Sequence, residues 1–428
     1  MTSRFYLETY GCSLNMADSD LIIGRLHHLG FQRTDDASLS DVIILNSCGV
    51  KEPTEDRIIS RLEVLSEGKI PVIVTGCLPR ISFDRVKGAI PNFGAILGPQ
   101  SLESLGPIVQ RVLQGESGII RLESDTTSKL QYYESPLDAV VCTIPICEGC
   151  VGDCAYCAVK FARTEVQSYR ISDLLEVIQR CIHNGFKEIR LTAQDIGAFG
   201  LDTGESLIDL LTQVGQLEGT HKFRLGMFNP NLVLERLEPF IDAMQSPHFF
   251  EFFHVPLQSG SDAILRRMNR RYSVQEWKDV IQAIVSSFPR ATIATDIIVG
   301  FPGETAEDFE MTLAVLQETH PPVVNLSKYG DRPGTLASKA SDKVPTQIKK
   351  DRSRQLSKQV ARLATASNES WIGWSGNVII TGSGQKGQVH GRTHTYKPVI
   401  INKAIPLGAV IEVTITDAKR THLLGMPI

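Results

Sequence analysis

Four cysteines fall within eleven residues in the segment CEGCVGDCAYC, from Cys147 to Cys157, although the chain of 428 residues has only nine. Neither a signal peptide nor a long apolar segment is visible, so we expect a cytoplasmic protein with reduced thiols and no membrane partner. An odd number of cysteines would also leave one unpaired in a disulfide framework. Cysteines clustered in this way indicate metal or redox chemistry.

The spacing of these cysteines separates two kinds of metal site. Two C-x2-C pairs are present, but only three residues lie between them, which leaves little room for a zinc ribbon. The triple Cys150, Cys154 and Cys157 has the C-x3-C-x2-C spacing of an iron–sulfur loop. Three thiolates on a four-iron cluster leave one iron without a protein ligand. Catalytic zinc sites likewise keep one position open, so the open iron indicates chemistry. Zinc and plain core cysteines stay as alternatives, and Cys147 is interpreted as structural.

Alternating strand and helix patterns surround this loop and must position it. A helix is predicted over ISDLLEVIQRCIHNGF with Ser172 as its cap, followed by the strands KEIRLTA, HKFRLGMF, FFEFFHVPLQ, ATIATDIIVGF and VVNLSKYG. About six such units between residues 140 and 330 predict a central partial (βα)6 barrel with parallel strands. The cysteine loop then follows the first strand, at the end where such folds place active sites.

Polar residues follow the later strands and are expected at the same mouth. They are Gln194, Asp195, Asn229, Gln258, Ser259 and the segment Gly300–Glu304. Each alone is equally typical of turns and helix caps. As a set at successive strand ends, they predict a rim that binds a cofactor and a substrate.

The first hundred residues contain three apolar runs that each end at a cysteine. FYLETYGC ends at Cys12, DVIILNSCG contains Cys48, and PVIVTGC ends at Cys77. With the helical stretches between them and a fourth run, GAILG, they predict an N-terminal open parallel α/β sheet. Ligands gather at the carboxyl edge of such sheets, so we expect these three cysteines to form a second site with an open iron. The alternative is that each packs as a small hydrophobic residue.

The C-terminal part has a different character. PTQIKKDRSRQLSKQVARL is predicted to be a basic helix, and the short strands after Trp371 predict a small OB-like β-barrel. Its basic and aromatic side chains suit phosphate contact and base stacking, although they are also typical of an ordinary solvated surface. These side chains are Arg392, His394, Tyr396, Lys397, Lys419 and Arg420.

Taken together, these features resemble the radical S-adenosylmethionine (radical SAM) methylthiotransferase family over essentially the whole chain. The resemblance rests on TYGCSLNMADSD, LNSCGVKEPTEDR, TGCLPR, EGCVGDCAYCAVKFAR, LTAQDIGAFG, HVPLQSGSDAILRRMNR and TDIIVGFPGETAEDF. The archaeal and eukaryotic threonylcarbamoyladenosine branch is most similar in the segments LTAQDIGAFG, RLGMFNPN and KYGDRPGT. The chain ends with its barrel, as in an archaeal-like member. The implied domains are an N-terminal methylthiotransferase domain (1–120), a radical SAM domain (136–366) and an RNA-binding TRAM domain (367–428).

This resemblance implies a transferase that methylthiolates carbon 2 of N6-threonylcarbamoyladenosine beside the tRNA anticodon. It implies two four-iron, four-sulfur (4Fe-4S) clusters and two S-adenosylmethionine molecules. The implied partners are tRNA, an electron donor such as a flavodoxin or ferredoxin, and a sulfur donor. The alternatives are a methylthiotransferase of another branch, acting on isopentenyladenosine in tRNA or on a ribosomal protein, and a non-catalytic metal-containing RNA-binding protein.

The resemblance also implies roles for single residues. Tyr156 would face the adenine of S-adenosylmethionine, and Gln194 and Gln258 would bind its ribose and methionine ends. The cluster that reduces S-adenosylmethionine would be held by Cys150, Cys154 and Cys157, and the auxiliary cluster that carries sulfur by Cys12, Cys48 and Cys77. RNA would be contacted by Arg163, Arg392, Lys397, Lys419 and Arg420. This chain departs from the family pattern at Thr164, because many members have a glycine immediately after the arginine that corresponds to Arg163.

Overall fold

The first region of the structure, a computed structural model that describes residues 2–125, 128–136 and 139–428, is an open parallel sheet. Its strands are β1 (Arg4–Thr9), β2 (Gln32–Arg33), β3 (Val42–Ser47), β4 (Val72–Gly76), β5 (Ala95–Leu97) and β6 (Ile119–Arg121). They lie in the order β2-β1-β3-β4-β5-β6, and all neighbours are parallel. The predicted open sheet is confirmed. The sequence pattern did not reveal the short edge strands β2 and β6.

Helices cover both faces of this sheet. They are α1 (Ser13–His28), α2 (Glu52–Ser66), α3 (Leu78–Ile81), α4 (Phe83–Ala89) and α5 (Leu102–Leu113). Successive residues of β3 point to opposite faces: Val42 and Ile44 pack in the core beneath α1 and α5, and Ile43 and Leu45 pack in the core beneath α2 and α4. A strand buried on both faces explains why DVIILNSCG reads as a continuous apolar run.

The central region contains the predicted open barrel of parallel strands. Its strands, with a short antiparallel hairpin β8–β9, are β7 (Val141–Pro145), β8 (Cys147–Glu148), β9 (Gln167–Ser168), β10 (Glu188–Thr192), β11 (Lys222–Leu225), β12 (Phe252–His254), β13 (Thr292–Val299) and β14 (Val323–Lys328). Two parallel sheets, β7-β10-β11 and β12-β13-β14, are joined by isolated parallel pairings between Phe223 and Phe249 and between Met227 and His254. The six strands therefore form one open barrel.

Helices on the outside of this barrel connect the strands. They are α6 (Val159–Ala162), α7 (Ile171–His183), α8 (Leu207–Gly215), α9 (Pro230–Val233), α10 (Leu237–Met244), α11 (Asp262–Arg267), α12 (Val274–Ser287) and α13 (Ala306–Thr319). The predicted cap of α7 is wrong, because Ser172 lies inside the first turn and its hydroxyl donates to Asp173. The carboxylate of Glu205, from a distant loop, accepts from the Ile171 amide instead.

The last region is a long helix followed by a closed barrel. These elements are α14 (Thr346–Glu369), β15 (Ser375–Ser383), β16 (Val389–Arg392), β17 (Pro398–Ile401), β18 (Val410–Ala418) and β19 (Leu423–Pro427). The strands close in the order β15-β16-β17-β19-β18, around a core that includes Val378, Val399 and Leu423. The predicted small barrel of five strands is confirmed. Among the described residues, no helix is both long and apolar enough to cross a membrane.

The small barrel closes one end of the open barrel. Tyr396 has a φ of +67° and packs its ring against Phe250 and Phe252, with centroid separations of 4.9 and 5.2 Å. Its hydroxyl donates to Glu188, the first residue of β10. These partners lie at the amino ends of the barrel strands. The carboxyl ends, where the cysteine loop lies, are therefore left free for chemistry.

Candidate active site

The cysteine loop lies shortly after β7, and hydrogen-bond donors contact two of its sulfurs. The backbone amide of Gly152 donates to the sulfur of Cys150 at 3.2 Å, and the guanidinium of Arg270 donates to the sulfur of Cys154 at 3.0 Å. Such donors stabilise a thiolate. Gly149 has a φ of +80°, and a Cβ there would lie 1.8 Å from the carbonyl oxygen of Glu165, so only glycine fits this turn.

Two thiols of this loop, those of Cys150 and Cys157, are poor acids until a metal binds. Burial, assisted by the nearby Asp195 carboxylate, raises the pKa of Cys150 to about 12, and burial also raises the pKa of Cys157. Free thiols with such pKa values stay protonated near neutral pH, and a metal must displace their protons. Cys147 lies fully buried beneath the loop and is within 3.8 Å of the Asp195 carbonyl oxygen, which fits its structural interpretation.

The other three cysteines meet at the carboxyl edge of the N-terminal sheet. Thr9 pairs with Asn46 and Ser47 pairs with Gly76, so β1, β3 and β4 end side by side just before their cysteines. A Cβ built at Gly11, which has a φ of +137°, would lie 2.7 Å from the Cβ of Cys48. The three cysteines, Cys12, Cys48 and Cys77, are thus brought together; Cys12 is exposed and the other two are buried.

Neither triad is arranged around a single ion. Among the described residues, no group of three histidine, cysteine, aspartate or glutamate side chains is placed to hold one metal ion. A four-iron cluster meets its cysteines at different iron atoms, so its ligands stand further apart than those of one ion. The donor sets fit such clusters, because each consists of three thiols that follow strand ends on glycine-containing turns.

Segments next to both triads meet at a junction between the N-terminal sheet and the open barrel. Arg332, which follows β14, donates to the carbonyl oxygen of Gly49 at 2.7 Å and pairs with Glu55 at 2.5 Å. Arg163, which follows α6, pairs with Glu148 on its own domain and with Asp18 in α1. These two buried arginines hold the edge that carries the N-terminal cysteines against the mouth of the barrel.

The rim residues after β10 and β11 form a chain of hydrogen bonds that ends at a cysteine. Asp195 is fully buried, which raises its pKa, and its carboxylate accepts from the backbone and side-chain amides of Asn229. The Asn229 amide oxygen accepts from Arg270, which in turn donates to Cys154. The amide oxygen of Gln194 accepts from the Gly149 backbone at 2.8 Å, so this side chain holds the cysteine loop.

Gln258 differs from the other rim residues because its amide oxygen is free. It is 8% exposed and has a φ of +73°, and its backbone pairs with Asp296 and Ile298 of β13. Within the described part of the chain, its Oε1 atom has no hydrogen-bond partner. A buried polar atom of this kind needs a partner, which a bound cofactor can provide.

The other residue expected at the cofactor, Tyr156, lies within the cysteine loop. It packs edge-on against Phe301, with ring centroids 6.3 Å apart.

The remaining rim residues have structural contacts. The hydroxyl of Ser259 accepts from the Ser261 amide at 3.2 Å, at the start of α11. The carboxylate of Glu304 accepts from the Gly300 amide at 2.7 Å and pairs with Arg352 of α14. The segment Gly300–Glu304 therefore ties β13 to the long basic helix.

The structure corrects two of the five predicted RNA contacts. Arg163 has a fully buried side chain, and Lys397 is 5% exposed with its ammonium bonded to Ser367 and Asn368. Burial lowers the pKa of Lys397 to about 8. Neither side chain can reach an RNA backbone, because its charged group is buried and bonded to other side chains of the protein. Lys419 and Arg420 are exposed, and Arg392 is partly exposed.

Sequence reasoning missed the buried charges that organise the site. Arg270, Arg332, Lys129 and Glu148 belong to no periodic pattern, and their partners come from distant parts of the chain. The run RRMNRR, at the end of α11, carried a signal, since four arginines fall within six residues there.

Comparison with known families agrees with this architecture. Residues 4–98 match the Uncharacterized protein family UPF0004, residues 144–316 match the Radical SAM superfamily, and residues 375–428 match the TRAM domain. Among solved structures, the radical S-adenosylmethionine methyltransferase TsrM from Kitasatospora setae, with cobalamin and a 4Fe-4S cluster bound, has a TM-score of 0.59 at 12% identity. The alignment covers 79% of this chain and 74% of that one. The fold and the cysteine loop together define a radical SAM enzyme.

Relatives over the full length give the family more closely. The chain is 37% identical to the probable threonylcarbamoyladenosine tRNA methylthiotransferase of Pyrococcus abyssi, over 99% of both proteins. It is 32% identical to the human threonylcarbamoyladenosine tRNA methylthiotransferase, over 99% of this chain and 74% of the human protein. The chain belongs to the threonylcarbamoyladenosine tRNA methylthiotransferase family.

Proposed function

We propose that this enzyme places a methylthio group on carbon 2 of N6-threonylcarbamoyladenosine, beside the anticodon of tRNA. The single observation that carries the proposal is the meeting of two separate cysteine triads at one junction. A simple radical methylase needs only the triad of the loop after β7, whereas insertion of sulfur needs a second site that holds the donated atom. The full-length relatives named for this substrate support the choice of nucleoside.

When bound, a cluster on each triad would supply the hard chemistry: reduction of S-adenosylmethionine at one and delivery of sulfur at the other. Cys150, Cys154 and Cys157 would hold the first cluster, and Cys12, Cys48 and Cys77 the second. One S-adenosylmethionine would provide the radical and another the methyl group.

The residues of the chain itself bind and orient the reactants. Gln258 would offer its free amide oxygen to S-adenosylmethionine, and Tyr156, which packs against Phe301, would lie beside its adenine. Gln194 keeps the cysteine loop in place. The remaining task of the rim is to hold the reactants in line and to exclude water.

Polar side chains on the last three strands of the open barrel are placed to receive the target base. The imidazole of His254 and the amide of Asn325 both lie 2.9 Å from the Asp296 carboxylate. Burial by itself would raise the pKa of Asp296, but these hydrogen bonds lower it. A base taken out of its loop can be enclosed and read by such groups.

The RNA itself would be held by the small barrel and the long helix. Lys419 and Arg420 are exposed on the barrel, and α14 exposes Lys350, Arg354 and Lys358. Such cations contact phosphates without reading sequence. An electron donor of the flavodoxin or ferredoxin type and a sulfur donor complete the proposed reaction.

The test is a single-turnover assay with reconstituted enzyme and synthetic anticodon stem-loops. We expect methylthiolation of a stem-loop with threonylcarbamoyladenosine and little reaction with isopentenyladenosine. The variant Cys12→Ala/Cys48→Ala/Cys77→Ala should still form 5′-deoxyadenosine but no methylthio product, whereas the matched control Cys147→Ala should keep both. Preference for isopentenyladenosine would move the enzyme to another branch. The absence of 5′-deoxyadenosine from the wild type would leave only an RNA-binding protein with metal.

A further inference from the structure

A buried network of four charged side chains lies between the two cysteine triads. Lys129 donates to Glu148 at 2.6 Å, and Arg163 pairs with both Glu148 and Asp18. The Tyr169 hydroxyl also donates to Glu148, at 3.0 Å. All four charged side chains are less than a tenth exposed. Two cations and two anions are therefore balanced inside the protein, at the junction of the two domains.

The side chains of this network satisfy one another, because both carboxylate oxygens of Glu148 accept hydrogen bonds, one from Lys129 and the other from Arg163. Replacing such a network by apolar side chains is often neutral for stability, so a buried network is weak evidence of a stabilising role. A geometric role explains better why the chain keeps these charges here.

Arg163 contacts segments that belong to both triads. Its partner Glu148 lies two residues before Cys150, on the strand that leads into the cysteine loop. Its other partner, Asp18, is in α1, the helix that begins immediately after Cys12. The short helix α3, which begins immediately after Cys77, packs against α6, which immediately precedes Arg163. One side chain thus joins the radical-forming triad to the sulfur-donor triad.

We propose that Arg163 is a positioning residue that fixes the distance between the two triads. This inference rests on the proposed function, because only an enzyme with two working clusters needs that distance. The planar guanidinium suits the task, since its rigid fork can hold two carboxylates at once, which a lysine ammonium on a flexible stem does poorly. A misplacement of about 1 Å can lower the rate of a positioned reaction by about 100-fold.

Two variants break the link from opposite sides. Arg163→Met removes the guanidinium, and Asp18→Asn removes only the partner on the N-terminal domain with almost no change of shape. Arg163→Lys is the conservative variant. The matched control is Arg25→Gln, which removes an ion pair with Glu103 that lies wholly within the N-terminal domain, at 2.9 Å.

Three quantities should be measured on the reconstituted full-length enzyme. They are iron per chain, the dipolar coupling between the two reduced clusters in pulsed EPR, and the ratio of 5′-deoxyadenosine to methylthio product. For Asp18→Asn and Arg163→Met we expect unchanged iron, a weakened coupling, and a ratio at least about 10-fold higher because the radical is formed without sulfur transfer. Arg163→Lys should be intermediate, and the control should match the wild type.

Two results would overturn the positioning role. Unchanged coupling and an unchanged ratio in Asp18→Asn would show that the separation does not depend on this link. Loss of iron from that variant would show instead that the network holds a cluster in the protein. Failure of the proposed function would be visible earlier, as a missing second cluster or missing methylthio product in the wild type.

Discussion

At the scale of single residues, Gln258 links a strained backbone to an expected ligand. Its φ of +73° lies in the left-handed region, which side chains other than glycine rarely adopt. The surrounding strands hold this conformation and leave the amide oxygen buried without a partner among the described residues. Such strain is concentrated at functional sites, where the fold aims a side chain at a ligand.

Replacement of this glutamine should weaken cofactor binding. In Gln258→Ala we expect about a 5-fold rise in the Kd for S-adenosylmethionine, as for one lost hydrogen bond of about 1 kcal/mol. Isothermal titration calorimetry on the cluster-loaded protein measures it. The control Gln282→Ala removes an amide on the exposed face of α12 that donates to Ser286, and it should leave the Kd unchanged. An equal Kd in both variants would remove Gln258 from the cofactor site.

At the scale of elements, the turns after the strands place the cysteines. Gly76 ends β4 immediately before Cys77 with a φ of +93°, and a Cβ there would lie 2.3 Å from the Ser47 carbonyl oxygen. The close approach of β3 and β4 at this point brings Cys48 and Cys77 together. A side chain at position 76 would force the two strand ends apart.

Gly76→Ala should therefore disturb one triad and spare the other. We expect iron to fall from about eight toward about four per chain, since two four-iron clusters are proposed and one loses its geometry. The matched control is Gly115→Ala, because Gly115 has a φ of +94° but open space around its Cβ position. In the control, alanine at a positive φ destabilises the backbone by about 1 kcal/mol without a steric clash, so the protein should keep its iron. Equal iron contents in the two variants would contradict this role of the turn.

The sequence predicted elements well where one strong local pattern decided them. Apolar runs that end at cysteines predicted β1, β3 and β4, because strands buried on both faces have a simple pattern. The edge strands β2 and β6 were missed, since two or three residues carry no period. The cap of α7 was wrong because Glu205, a residue distant in sequence, supplies the acceptor.

The residues of the candidate site were likewise predictable only where a local sequence pattern decided their position. Cysteine spacing predicted the triad after β7, and apolar runs that end at cysteines predicted the triad of the N-terminal sheet. The structure places the cysteines of both just after the carboxyl ends of strands. The roles of Arg163 and Lys397 could not be read from the sequence, because a cation in a loop looks the same whether it meets RNA or a buried carboxylate. Only the tertiary structure shows which partner it has.

At the scale of the whole molecule, the two ends of the open barrel have different tasks. Tyr396 and its aromatic partners close the amino ends of the strands, and the N-terminal sheet docks at the carboxyl ends. The chemistry is thus enclosed between domains. The net charge of −4 gives no general attraction to RNA, so binding must depend on local groups of cations.

The exposed cations of the small barrel should set part of the salt dependence of tRNA binding. The slope of log K against log salt is negative for such binding. In Lys419→Ala/Arg420→Ala we expect it to become less steep by about 1.4 to 1.8, because two phosphate contacts are lost. Filter binding across a salt series measures it. The control Lys69→Ala/Lys87→Ala removes two exposed cations of the N-terminal domain and should leave the slope unchanged. An unaltered slope in the barrel variant would place the RNA elsewhere.

The central claim is that two separate iron–sulfur clusters meet at one junction. The most direct measurement is the iron and sulfide content of anaerobically purified protein, wild type and Cys150→Ala/Cys154→Ala/Cys157→Ala. The account predicts about eight irons per chain in the wild type and about four in the variant. About four irons falling to none would remove the auxiliary cluster and sulfur insertion with it, and zinc in place of iron would contradict the radical chemistry altogether.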